Sequence, residues 1–154
     1  MSGAARGASG KRRSSKSCNK ETTALTTEIF KYIKDRYNGE AERPWVRAPG
    51  YIVFRHQDNN RIYGVATTVP LTKLGIREES LVDVLTVKVG NPLLRELLLS
   101  QKGIFPGLGF GERNWITILL DGTVAWEDII SCIDRSFFLT ASHKTRKAQT
   151  SSAG

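Results

Sequence analysis

The sequence predicts a single α+β domain in which a mainly antiparallel sheet carries helices packed on one face. Three observations predict it. Two runs rich in β-formers, Tyr51–His56 and Arg61–Val69, flank the turn residues Gln57-Asp58-Asn59-Asn60, which is a hairpin pattern. Leu25, Ile29, Ile33 and Tyr37 recur every four residues, one apolar helical stripe. Trp126, Ile129, Ile130, Ile133 and Phe137 fall at i, i+3, i+4, i+7 and i+11, a second stripe.

Taken in order, the first helix covers residues 22–37, Phe30 widens its stripe, and Asn38-Gly39 stops it. A loop from Glu40 to Pro49-Gly50 leads into the hairpin. Residues 70–80 connect, with a short turn at Lys73-Leu74-Gly75. A third strand, Leu81–Val89, alternates with Leu81, Asp83, Leu85, Val87 and Val89 on one face. Asn91-Pro92 is an N-cap with proline at the first helical position, so a helix follows to about Gln101 and stops at Gly103. Residues 103–114 are a Gly-rich loop, Trp115–Leu120 a fourth strand, and Asp121-Gly122 turns into the last helix. The expected order is α-β-β-β-α-β-α, which favours a sheet with helices on one side.

Charge divides the chain. The net charge is +8 over 154 residues. Residues 1–20 hold six Lys and Arg and no acid, and residues 141–154 hold Lys144, Arg146 and Lys147 and no acid. The segment between them has 14 cations and 15 acids, so basic character belongs to the ends. Both ends have too little apolar surface to offset ordering entropy and read as disordered basic tails, 1–20 and 141–154, around a domain at 21–140. Lys11-Arg12-Arg13 fits a nuclear signal, a nucleic-acid contact or a solvated tail. The N-terminus lacks the apolar run of a secretory signal. No stretch approaches the roughly 18 apolar residues that span a membrane. Cys18 and Cys132 form no metal-binding or disulfide pattern and suit a reducing, cytoplasmic compartment.

Motifs that carry chemistry are sparse. Glycines at 107, 109 and 111 let backbone N–H groups approach an anion, but this loop leads from helix into strand and lacks the Gly-Lys-Ser/Thr ending of a phosphate loop. It reads instead as a loop anchored by Phe105 and Phe110. Glu127 and Asp128 belong to the first turn of the last helix, where acids favour the dipole. Of the two histidines, His143 lies in a tail and His56 ends a strand beside Arg55, with no carboxylate or thiol neighbour in sequence. Hard-metal sites want clustered carboxylates, and Glu78, Glu79 and Asp83 are the only loose acid group, so an enzyme or metal protein is the least favoured alternative. No cofactor, no metal and no catalytic set is expected. The hairpin tip gathers Arg55, His56, Asn59, Asn60 and Arg61, a set suited either to a DNA groove or to a solvated turn.

An ordered set of segments resembles the MmcQ/YjbR family: Trp45 with Tyr51-Ile-Val-Phe-Arg-His56, Leu74-Gly75, Val82-Asp-Val-Leu-Thr-Val-Lys88, Gly103-Ile-Phe-Pro106, Asn114-Trp-Ile-Thr-Ile-Leu-Leu-Asp-Gly122, and Ile133-Asp-Arg-Ser-Phe-Phe-Leu-Thr140. The match in order and spacing spans about residues 22–140. The resemblance implies a small α+β domain with a frataxin-like sheet, a cytoplasmic setting, and DNA binding through a double wing of β-hairpins. This sequence departs from the family pattern in one loop, with Gly109 and Asn114 where histidines are usual and Glu112 where lysine is usual. Lys88 and Trp115 follow the pattern.

The expectation is therefore a non-enzymatic DNA-binding protein. The hairpin wing would supply Arg55, His56 and Arg61, with Arg47 preceding it. Lys88, Lys102 and Arg113 would contact the backbone, and Lys11, Arg12 and Arg13 would add sequence-independent phosphate contacts. The alternative is a small-molecule or protein-binding module with a pocket near the 103–114 loop, walled by Trp45 and Trp115.

Overall fold

The four-residue apolar spacing near the N-terminus becomes helix α1 (24–37), which buries Ile29 and Ile33 completely. Asn38 ends it in the left-handed conformation, φ 56°, and its N–H returns to Lys34 O at 2.9 Å. The structure is a computed structural model that describes residues 24–45, 47, 50–107 and 113–153, the last five as backbone. Tail residues 1–20, with Lys11, Arg12 and Arg13, lie outside the described residues.

Strands β1 (Ile52–Arg55) and β2 (Ile62–Pro70) form the expected antiparallel hairpin, with Ile52 opposite Ala66. Its turn is closed by His56 N–H to Arg61 O and Asn60 N–H to His56 O, both 2.9 Å. Asn60 takes the left-handed conformation that a short amide side chain tolerates. After a 3-10 turn (Leu71–Leu74) come β3 (Leu81–Lys88), α2 (Pro92–Leu99), β4 (Ile104–Pro106), β5 (Trp115–Leu119), α3 (Trp126–Thr140) and α4 (His143–Ala153). Asn91 caps α2 as expected, its Oδ1 accepting from the N–H groups of Leu93 (2.9 Å) and Leu94 (3.2 Å). The five strands form one sheet, ordered β1-β2-β3-β5-β4, and every neighbouring pair is antiparallel.

Two elements are additions to the expected order. Strand β4 occupies the start of the Gly-rich segment. Three residues ending in proline are too short to show a period, and the edge of a sheet accepts a residue without an N–H. Helix α4 corrects the disordered tail expected from residue 141. Composition alone points to disorder, but side-chain hydrogen bonds hold this segment. Ser142 Oγ accepts from Thr145 N–H at 3.1 Å, as an N-cap does, and Arg146 Nε–H donates to Phe138 O at 2.9 Å.

The alternation of β3 divides two apolar layers. Leu85, Val87 and Val89 join Ile116, Ile118, Phe54 and Tyr63 beneath α1 and α3. Val82 and Val84 join Val69 and Leu119 on the other face, where Leu71, Leu74 and Phe105 pack against them. Fully burying each such side chain stabilises by roughly 1.5–3 kcal/mol. At one end of the sheet α3 supplies a missing link. The register that pairs Val65 with Thr86 would next pair Tyr63 with Lys88. Instead Ser136 Oγ donates to Tyr63 O (2.6 Å) and accepts from Lys88 N–H (2.9 Å).

Candidate functional site

Strand register decides where the cations sit. Arg61 precedes β2, Lys88 ends β3, and Arg113 precedes β5. The pairings Val65 with Thr86 and Lys88 with Trp115 put all three at the same end of the sheet. Adjacent strands are about 4.8 Å apart, so the row spans roughly 10 Å. Helix α3 runs to this end too, since Asn59 Nδ2–H donates to Thr140 O at 3.0 Å. The chain then turns into α4, which brings exposed Lys144, Arg146 and Lys147 to the same region. The Asp58 carboxylate in the hairpin turn accepts from Ser142 Oγ–H and, at 2.9 Å, from Thr145 Oγ1–H. Those hydroxyls hold its pKa below the ordinary aspartate value.

The hairpin is not a free wing. Its turn lies on the end of α3. His56, expected at the surface, is 4 % exposed. Its Nε2 faces Phe137 O at 3.1 Å and Thr140 Oγ1 at 2.9 Å. A carbonyl can only accept, so Nε2 carries the proton and Nδ1 keeps a bare lone pair. Burial lowers the His56 pKa and favours this neutral form, with the Phe137 carbonyl and Asp58 opposing and Arg61 assisting. Arg55 is half-buried and paired with Glu42 at 3.2 Å. Arg61 is exposed. Arg47, in the loop before β1, and Lys102, before β4, are exposed but lie at the opposite end of their strands from the cation row.

Between the end of α1, the hairpin turn and α4 lies a cleft of about 370 Å³. Tyr37, Gly39, Arg55, His56, Tyr63 and Lys144 are among the residues that line it. Its wall is aromatic. Tyr37 stacks on Phe137 with centroids 3.7 Å apart, and the His56 ring lies 4.5 Å from Phe137 and 4.9 Å from Tyr63. A Cβ on Gly39 would come within 2.3 Å of Tyr63 Oη, so only glycine lets the chain pass that close to the hydroxyl. Burial raises the Tyr63 pKa and holds its hydroxyl protonated. Sequence reasoning missed α4 and Tyr63. The spacing of Ser142 and Thr145 was an available cap signal, and an inward tyrosine in a strand raises the question of its hydroxyl's partner.

The cleft is not at the 103–114 loop, of which residues 108–112 lie outside the described residues. Trp45 meets Tyr51 edge-on at 5.5 Å, and Trp115 is half-buried. Among the described residues no three His, Cys, Asp or Glu side chains gather as metal ligands, and no helix is long and apolar enough to cross a membrane. Asp83 accepts from Thr26 Oγ1 (2.7 Å) and Thr68 Oγ1 (2.5 Å).

The fold and this basic end define a class: a small α+β domain with a five-stranded antiparallel sheet, helices on one face, and cations collected at one end of its strands. The profile of the YjbR family matches residues 27–139, and the chain belongs to that family. It is 34 % identical over 117 residues to the uncharacterized protein YyaQ of Bacillus subtilis (strain 168), covering 75 % of this chain and 98 % of that one. A crystal structure of a Pseudomonas syringae protein is similar at TM-score 0.72 and 36 % identity, covering 75 % of this chain and 97 % of that one. A Deinococcus radiodurans protein shares the fold at TM-score 0.60 and 21 % identity, covering 81 % of this chain and 87 % of that one.

Proposed function

We propose that this protein is a non-enzymatic nucleic-acid-binding module that docks duplex DNA against the basic end of its sheet. The carrying observation is the shared placement of Arg61, Lys88 and Arg113 by strand register, with Lys144, Arg146 and Lys147 added by α4. A cation row roughly 10 Å long is comparable to the ~12 Å width of a B-DNA major groove, so it can reach phosphates along one groove edge. The contact is a docked surface rather than an inserted wing, because the hairpin turn is tied to α3 and α4. Backbone contact of this kind gives affinity without base readout, and each phosphate neutralised releases counterions.

The test is fluorescence anisotropy of a labelled random duplex with the full chain, at about 50 and about 200 mM salt. Replacing Arg61, Lys88 and Arg113 together by alanine is expected to flatten the salt slope by about 0.9 for each phosphate that is no longer neutralised. Replacing Lys11, Arg12 and Arg13 tests the N-terminal segment separately. If the Arg61, Lys88 and Arg113 variant binds like the parent, the sheet-end reading is wrong.

A further inference from the structure

The cleft beside the basic end has features that phosphate docking leaves unused. Tyr63 is 2 % exposed, and its hydroxyl has no hydrogen-bond partner among the described residues. Among the described residues, the side-chain atom both sealed from solvent and unpartnered is Arg95 Nε, in α2 away from the cleft. Tyr63 Oη therefore opens onto the cleft that its ring lines. The same reasoning opens His56 Nδ1, since Nε2 makes both of that ring's hydrogen bonds. A protonated hydroxyl and a bare ring nitrogen, on rings whose centroids are 4.9 Å apart, give the cleft both a donor and an acceptor. Tyr37 and Phe137 add aromatic surface, and two cations stand at the rim. Arg55 is held by Glu42, and Lys144 has no ion pair among the described residues. The volume of about 370 Å³ falls within the roughly 300–1,000 Å³ of small-ligand sites.

We infer that this cleft binds a single nucleotide, its base edge meeting Tyr63 Oη and His56 Nδ1 along the aromatic wall and its phosphate meeting Lys144 and Arg55. The choice of a nucleotide over another planar anion rests on the nucleic-acid reading of the same end. Aromatic walls accept any base, because every base has a π-face. A donor and an acceptor in one cleft suit the donor-acceptor edges that bases present. The nucleotide can come from solution or from an unpaired position in a strand, and the chemistry recognised is the same.

The experiment titrates the full chain by amide-resonance NMR with each of the four 5′-ribonucleoside monophosphates, the matching nucleosides, inorganic phosphate, a blunt duplex, and that duplex with a five-base overhang. At least one monophosphate is expected to shift the amides of Asn38, Gly39, His56 and Lys144 and to bind more tightly than its nucleoside or phosphate. Tyr63→Phe keeps the ring and should weaken that monophosphate about fivefold, the effect of one net hydrogen bond. Lys144→Ala should weaken the monophosphate several-fold and leave the nucleoside unchanged. Tighter binding of the overhang duplex than the blunt one identifies an unpaired base as the source, and equal binding identifies a free nucleotide. The inference is overturned if no monophosphate perturbs those amides at millimolar concentration, or if neither variant changes its affinity. Salt-dependent duplex binding alongside that failure leaves the docking reading intact. Nucleotide binding without duplex binding sinks the docking reading and keeps the cleft.

Discussion

Thr145 Oγ1, in the first turn of α4, donates to Asp58 Oδ2 in the hairpin turn at 2.9 Å, joining segments 87 residues apart. With Ser142 Oγ on the same carboxylate oxygen, the pair fixes where the C-terminal cations stand. Asp58→Ala should release α4. Its amides should lose hydrogen-exchange protection while the sheet keeps its own, and duplex affinity should fall. The link also predicts a pH dependence. The folded-state pKa is depressed, so docking is fully present above the ordinary aspartate pKa and fades as pH falls through the folded value. Helical amides of α4 whose protection does not change as Asp58 is titrated with acid would refute this.

His56 gives a second pH prediction at a milder range. Its pKa is lowered from the ordinary 6.5 chiefly by burial. The fold prefers neutral imidazole, so its contribution is complete above about pH 6.5 and declines as pH falls toward the folded value. Urea denaturation from pH 7.5 to pH 5 should show this decline, and His56→Gln should flatten it.

Asp134 Oδ1 accepts from both Tyr32 Oη–H (2.8 Å) and Tyr37 Oη–H (2.5 Å), tying α1 to α3. The Tyr32 pKa is pushed up to about 12 by burial first and by the Asp134 bond second. Asp134→Ala should cost about 2 kcal/mol, since it removes both bonds, and Tyr37→Phe about 1 kcal/mol, the worth of one net hydrogen bond. A double-mutant cycle should return a coupling of at least about 0.5 kcal/mol. Additive losses would mean the two groups act independently.

Gly107 faces the β5 backbone closely. A Cβ there would fall 2.4 Å from Trp115 Cβ and 2.9 Å from Trp115 O. Gly107→Ala should therefore destabilise by about 1–3 kcal/mol, the usual cost of overpacking, and change the tryptophan emission. Emission and stability equal to the parent's would show that the strands can part there without strain.

The elements that could be read from the sequence were those with a long period. The stripes of α1 and α3, the alternation of β3 and the Asn91 cap of α2 all appear as read. Strand β4 was invisible because three residues show no period and its partner, β5, lies beyond a loop. Helix α4 was invisible because hydroxyls reaching Asp58, not an apolar stripe, hold it. The site was legible in part. Arg61, Lys88 and Arg113 were named individually, but only strand register brings them to one end. His56 was misplaced because nothing local reveals that α3 ends over the turn.

The hydroxyl of Ser136 between β2 and β3 has a kinetic meaning. The ladder between those strands borrows a rung from α3, so neither Tyr63 O nor Lys88 N–H is satisfied until the helix arrives. The end of that ladder is thus completed only when the helix docks. The amide proton of Lys88 should then exchange only when α3 lifts from the sheet, which makes it a reporter of helix docking that sits inside a strand.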